Sequence, residues 1–391
     1  MRRLHLILLM LLALLGGGDV VRAAGPDNNQ TMLLKLFGSE PLTPDLFAPG
    51  MLAQVPFAQI EALLTAARKT IGVPQSVERS GSSYIVKTSS YMQPVDIALD
   101  SHGQIAGLLL RPPTPIFDSA DEVLAAMKGL PGKVAYLALR NGEPLHALEA
   151  DTPIAVGSAF KLAVLAAVAD GIAAGRFGWD TVVRLRPGEV SLPSGLLQTM
   201  PVGSPMTVHT LAAFMIAQSD NTATDMLMDL IGREKVAARL GVDFALKTVE
   251  FFKLKADPAL SLRFAAADAA GKGRIADELA AMPLPKVSDV LNPLDDGVEW
   301  TVPLRTLCRL VEEVKGLDVF DINPGVARQA DWAHVAFKGG NEVGVSALVS
   351  ALTDEAGTDY CVAAAWNDHR ALNDTRFTAL YGALIDKIGG K

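Results

Sequence analysis

VGSAFKLAVL, residues 156–165, opens the longest apolar helical pattern between the two halves of the chain. Nine of its ten residues suit the buried stripe of a helix, and Lys161 does not. Lys161 follows Ser158 by three places, so in a helix the hydroxyl and the amine share one face, a turn apart. Ser158 falls in the first turn, where free backbone N–H groups and the helix dipole favour developing negative charge. A serine hydroxyl is a weak nucleophile until a base takes its proton. A lysine can be that base when it is neutral, and apolar burial or a neighbouring cation lowers its pKa. The plain alternative is a helix-start serine with a snorkelling lysine. On its own the pair decides little, since about one Ser-x-x-Lys arises by chance in a chain of this composition.

Two further stretches sharpen it. Ser219-Asp220-Asn221 lies in FMIAQSDNTATDMLMDL, between a helix ending near Gln218 and another beginning near Thr222. A helix cap accounts for one of the three residues. A proton relay through Ser219, a substrate amide held by Asn221 and a loop fixed by Asp220 account for all three. Lys338-Gly339-Gly340 ends the strand pattern WAHVAFKGG. A Gly-Gly there is commonly a turn. It also lets substrate backbone lie against the strand, with Lys338 adding positive potential and the N–H of Asn341 pairing with that of Ser158 as an oxyanion hole.

Working outward, 156–175 reads as a helix closed by Gly175. A short helix (119–128) and the hairpin KVAYLALRNGEPLHALEA, turning at Asn141-Gly142, precede it. A mostly helical middle follows, then three strands (332–340, 343–353, 360–367) and a terminal helix, TRFTALYGALIDKIG. Strands at both ends with helices between predict one antiparallel sheet whose first and last segments adjoin. RPPTPIFDS, residues 111–119, is an extended connector. Before it, a helix at 55–72 and alternating segments at 82–91 and 94–110 predict a small α+β domain over 24–112, read as a packing or partner-binding module. The expected division is 1–23, 24–112 and 113–391.

Arg2 and Arg3 precede LHLILLMLLALLGGG, and Val21-Arg22-Ala23 ends in small residues, so 1–23 reads as a secretory signal peptide. No second long apolar run appears, so no stable membrane span is expected after cleavage, and a periplasmic or secreted location is. Without the signal the chain carries 32 basic and 42 acidic residues, a net charge of −10, which disfavours nucleic acid as a partner. Cys308 and Cys361 are the two cysteines; one bridge and two buried thiols are both open readings. The six histidines lack metal-ligand spacing, so neither metal nor cofactor is expected.

Taken in order on a helix start, an inter-helix loop and a strand end, these residues resemble the active-site triplet of class A β-lactamases and penicillin-binding proteins. The resemblance covers about 118–391 and implies an antiparallel sheet with flanking helices plus a helical subdomain. It implies Ser158 as acylated nucleophile, Lys161 as its base partner, Ser219 as proton shuttle, Asn221 as substrate ligand and Lys338 as a holder of a substrate carboxylate. The two-domain arrangement, with stretches such as SLPSGLLQ and SDNTATD, is similar to the β-lactamase-like proteins of clavulanic acid biosynthesis clusters, whose N-terminal module is of the cystatin/steroid-isomerase type. Two departures stand out. Gly339 replaces the family's hydroxyl residue, which weakens carboxylate recognition. The family's deacylating Glu-x-x-Leu-Asn aligns on PKVSDVLNPLDDGVEWTVP, with Leu291-Asn292 in register; the Glu position falls on Ser288, and Asp289 is one place off, as a solvated carboxylate or a substitute base. The expected function is an exported serine hydrolase acting on a β-lactam or related small amide or ester through an acyl-enzyme. The alternatives are an esterase or transpeptidase-like enzyme and a sensor that acylates once.

Overall fold

A computed structural model describes residues 26–80, 83–111, 113–294 and 297–390. The expected signal peptide lies outside the described residues. The chain divides into two compact units, meeting at Glu122–Val123, later than the 112–113 boundary read from the prolines.

The first unit runs α1 (Pro26–Phe37), α2 (Pro49–Gln54), α3 (Phe57–Ile71), β1 (Ser76–Ser80), β2 (Ser83–Lys87), β3 (Tyr91–Leu99), β4 (Ile105–Leu110) and β5 (Thr114–Pro115). β1 to β4 form an antiparallel meander, and β5 adds to β3. Ile60, Leu64 and Ile71 put the apolar side of α3 into a core with Leu33, Leu36, Val86, Val95 and Ile105. Arg68 ties α3 to the end of α1: its guanidinium donates to the carbonyls of Leu36 (2.7 Å), Glu40 (2.9 Å) and Lys35 (3.3 Å), acceptors a helix terminus leaves open. The stretch 82–91 is broken rather than continuous, because Thr88 turns the chain by accepting from the amides of Ser90 and Tyr91.

After α4 (Ala120–Lys128), the second unit continues with β6 (Lys133–Arg140), β7 (Glu143–Leu148), β8 (Ile154–Ala155), α5 (Lys161–Ala173), β9 (Val182–Arg184), β10 (Pro205–Thr207), α6 (Val208–Ala217), α7 (Asn221–Ile231) and α8 (Arg233–Leu240). Then come α9 (Thr248–Lys255), α10 (Pro258–Ala265), α11 (Ala269–Ala280), β11 (Thr301–Val302), α12 (Leu304–Val314), β12 (His334–Glu342), β13 (Val345–Thr353), β14 (Asp359–Asn367) and α13 (Asp374–Ile388). The main sheet has the order β12-β13-β14-β6-β7, antiparallel throughout, so the first and last strands of the unit meet at β6 and β14 as their sequence positions predict. Leu304, Leu307, Cys308, Val311 and Val314 recur at helical spacing and turn one stripe of α12 inward, where Cys308 is disulfide-bonded to Cys361 of β14. On α13, Tyr381 donates to Val362 O at 2.7 Å.

α5 is buried on nearly every side, from Lys161 through Val168, which explains its lack of a polar face. Its start differs from the expected one. Residues 157–160 form a 3₁₀ turn, and the α-helix begins at Lys161. Gly157 at φ +46° reverses the chain out of β8, a conformation glycine adopts without a Cβ penalty. β8 itself is fastened on two sides. It pairs with β11, and the buried Asn367 amide accepts from Ala155 N and donates to Ala155 O, both at 3.0 Å.

Candidate active site

Ser158 sits on the 3₁₀ turn between β8 and α5, partly exposed, and Lys161 follows with no exposed surface. The Lys161 amine donates to Ser219 O at 2.6 Å, Asn221 Oδ1 at 2.6 Å and Ser219 Oγ at 3.3 Å. Lys338, 2% exposed, reaches the same Ser219 Oγ at 2.9 Å and also Gly339 O at 2.6 Å. One hydroxyl therefore stands between two buried amines. Burial holds the Lys161 ammonium well below the ordinary lysine pKa, Lys338 pushes it the same way, and Asp225 and Asp220 oppose them. Burial brings Lys338 down to about 7. Two amines converging on one oxygen cannot both keep a full charge at low cost, so one is the natural proton acceptor.

The Ser219 backbone is strained to reach this place, at φ +57°, a region a non-glycine residue enters at a cost of about 1 kcal/mol. Asp220 locks it there. Its carboxylate caps α7 through Ala223 N at 2.8 Å and accepts from Leu196 N at 2.6 Å and Leu197 N at 2.8 Å. Gly195 is obligatory beside it, since a Cβ there would lie 2.2 Å from Asp220 Oδ2. Asn221 is buried and spans the gap, accepting from Lys161 and donating Nδ2 to Leu192 O at 3.0 Å. The stretch 191–198 is thus bolted to the Ser219 loop.

β12 is the edge strand, and its hairpin to β13 closes over Val343 and Gly344 with Glu342 opposite Val345. A two-residue hairpin makes that closing pair the hydrogen-bonded one, so by alternation the groups of Asn341 and Gly339 point away from β13. Gly339 O is indeed taken by the Lys338 amine. Gly340 presses on the nucleophile turn: a Cβ there would lie 2.1 Å from Val156 O and 2.5 Å from Ser158 N. A Cβ on Gly157 would lie 3.4 Å from Asn341 N. The backbone nitrogens of Ser158 and Asn341 therefore both lie beside the close contact of Gly157 with Gly340.

The structure brings Ser158, Lys161, Ser219, Asn221, Lys338, Gly339, Gly340 and Asn341 together. Ser288 and Asp289, read as possible deacylation groups, make no hydrogen bond to them among the described residues. Both are exposed on a short 3₁₀ turn, where Ser288 Oγ donates to Asp289 Oδ1 at 3.0 Å and Asp289 accepts from Lys286 N at 3.3 Å. Asn292 instead donates to the last carbonyl of α9, Lys255 O, at 3.4 Å. The segment packed behind Asn221 is the start of α9. Asp225 accepts from Thr248 N (2.7 Å) and Val249 N (2.8 Å), and Thr248 Oγ1 donates to Asn221 O at 3.2 Å. Burial raises the Asp225 carboxyl to about 7 against those hydrogen bonds. Asp225 stands four residues after Asn221, on the same face of α7, a spacing visible in the sequence. Among the described residues, no carboxylate hydrogen-bonds to Lys161, Ser219 or Lys338.

Residues 116–269 match the sequence model of the Beta-lactamase enzyme family. A β-lactamase from Sphaerobacter thermophilus DSM 20745 aligns with TM-score 0.50 at 18% identity, over 70% of this chain and 98% of that one. The fold is β-lactamase-like. An ancestral class A β-lactamase (GNCA) aligns at TM-score 0.49 and 16% identity over 69% of this chain and 99% of its own. PBP-A aligns at 0.48 and 17% over 69% and 94%. No curated protein matches the chain. In this β-lactamase-like fold the partly exposed serine lies where the sheet edge meets the helical body. Among the described residues, no group of three His, Cys, Asp or Glu could hold a metal ion, and no helix is long and apolar enough to cross a membrane.

Proposed function

We propose that the chain is an exported serine hydrolase that forms an acyl-enzyme on Ser158 with a small amide or ester, β-lactams included. The observation that carries this reading is the Lys161–Ser219–Lys338 chain of hydrogen bonds beside the Ser158 turn. Ser158 Oγ attacks the acyl carbon and transfers its proton to neutral Lys161. The oxyanion rests on the Ser158 and Asn341 amides. The proton passes through Ser219 Oγ to the leaving nitrogen or oxygen as its bond to the acyl carbon breaks, and water later cleaves the serine ester. Asn221 orients Lys161, and Lys338 supports Ser219. The disulfide and the leader-like sequence support export. The likeness to the two-domain proteins of clavulanic acid clusters is supported by the division into two units.

A second reading, a sensor that acylates once, is favoured by one feature: among the described residues no carboxylate hydrogen-bonds to Lys161, Ser219 or Lys338 as a base that could activate water. Intact-protein mass spectrometry over time with a penicillin and a cephalosporin separates these readings. A transient adduct on Ser158 with accumulating product supports the hydrolase. A persistent adduct supports the sensor. No adduct with these or with simple thioesters refutes both.

A further inference from the structure

Ser194 is an exposed residue of the stretch 191–198, yet it grips the Ser219 loop at two points. Its Oγ donates to Ser219 O at 2.6 Å, and its own carbonyl accepts from Asn221 N at 3.2 Å. The two bonds straddle Asp220, whose carboxylate fastens the same stretch through Leu196 N and Leu197 N. Among the described residues the Ser194 hydroxyl makes no other hydrogen bond.

Ser219 O is where this grip meets the proposed chemistry. The Lys161 amine donates to that same oxygen, also at 2.6 Å, so two donors share one carbonyl and occupy both its lone pairs. An ammonium has three N–H donors, whereas the neutral amine that serves as a base has two and a lone pair. Ser219 O and Asn221 Oδ1, both at 2.6 Å, take those two, which leaves the lone pair the third direction, on the side of Ser219 Oγ at 3.3 Å. The aim of the base therefore depends on where Ser219 O stands. That residue holds φ +57°, a conformation its backbone tends to leave, so its carbonyl needs holding. The same peptide is anchored on its other side by Asp220 N, which donates to Phe214 O at 3.1 Å. Loss of the Ser194 hydroxyl would thus tilt this peptide without releasing it.

Resting on the acyl-enzyme reading above, we propose that Ser194 is a positioning residue: its hydroxyl holds the Ser219 carbonyl where that carbonyl aims the Lys161 amine. It acts through Ser219 and not on the substrate. Its loss therefore slows the chemical step and leaves substrate binding as it was.

The test uses the full-length chain and the phenylacetyl thioester of propanethiol, the propyl thioester. Acylation of Ser158 is followed by mass and by thiol release over a range of ester concentrations, which separates the maximal rate from the half-saturating concentration. In Ser194→Ala the maximal rate is expected to fall about tenfold, the upper worth of one hydrogen bond, with half-saturation unchanged. Ser194→Thr keeps the hydroxyl and is expected to restore the rate. Ser204→Ala is the control: it removes a bond of the same kind from the neighbouring chain, Ser204 Oγ to Pro201 O at 2.7 Å, and should leave acylation as it is. An unaltered rate in Ser194→Ala overturns the proposal, as does an equal loss in Ser194→Thr or in Ser204→Ala. A raised half-saturating concentration at an unchanged maximal rate also overturns it, since Ser194 would then be touching the substrate. Absence of any Ser158 adduct in the unaltered protein overturns the acyl-enzyme reading and this proposal with it.

Discussion

Gly340→Ala is the sharpest probe of the contact between β12 and the Ser158 turn. The new methyl would sit 2.1 Å from Val156 O and 2.5 Å from Ser158 N, where real Cβ atoms keep 3.0 Å. Strand and turn must part by about 0.9 Å, the difference between those limits. Both obstacles are backbone, so no side chain can swing away to absorb it. Overpacking of this kind costs about 1–3 kcal/mol of stability. The same displacement opens the gap between the Ser158 and Asn341 amides, and a misplacement of about 1 Å lowers a rate by about a hundredfold. Acylation of Ser158 by the propyl thioester, measured as kcat/KM, is therefore expected to fall by about that factor, with a lower Tm. Gly273→Ala is the control. It lies in α11 with nothing within 4 Å of the added carbon, so acylation should hold and stability rise by about 0.5–1 kcal/mol. Wild-type acylation and an unchanged Tm in Gly340→Ala would refute the close contact and the oxyanion geometry derived from it.

Ser158→Ala is expected to abolish covalent labelling with little change in thermal unfolding; persistence of the adduct would move the nucleophile elsewhere. Lys338 titrates near 7 folded and near its ordinary value of 10.5 unfolded, so between those limits the unfolded chain holds the extra proton and stability rises with pH. Denaturant melts from pH 7 to 9 should show that rise, and Lys338→Met should reduce it, the buried Lys161 adding a rise of the same sign. Ser288→Glu is expected to leave deacylation unchanged, because the side chain is exposed and bonded only to its neighbour Asp289; a faster rate would make the loop catalytic. Reducing Cys308–Cys361, which are separated by 53 residues, should lower stability by about 4 kcal/mol on the chain-entropy scale, read as a lower Tm in dithiothreitol.

Much of this was legible in the residues because it depends on local pattern. The continuous apolar run closed by Gly175 located α5, and the Asn141-Gly142 turn located the β6–β7 hairpin, whose positive φ values at both residues match its turn chemistry. Gly340 reads in the sequence as room for substrate backbone, whereas in the structure the Ser158 turn fills that room. What was not legible depends on who packs behind whom. Leu291-Asn292 matches the spacing of the family it resembles, yet the segment packed behind Asn221 is α9, held by a buried carboxylate on α7. Spacing along a chain says nothing about which of two polar segments a core will admit. The 3₁₀ start of α5 was equally hidden, since it follows from the angle at which β8 delivers the chain. The cysteine pairing was open for the same reason: α12 and β14 become neighbours only once the sheet is assembled.

The Asn367 clamp has a mechanical consequence. By copying a peptide group it couples β8 to the end of β14 and so couples the serine turn to the sheet. Ser219, by contrast, rides on the junction of α6 and α7 in the helical body. If the sheet and that body breathe against each other, Ser158 and the Asn341 amide travel as one piece while the distance to the Ser219 hydroxyl changes. On the proposed mechanism, thermal motion would then interrupt proton transfer through Ser219 before it disturbs the Ser158 and Asn341 amides, so an acyl group could still be gripped at moments when the leaving group cannot be released.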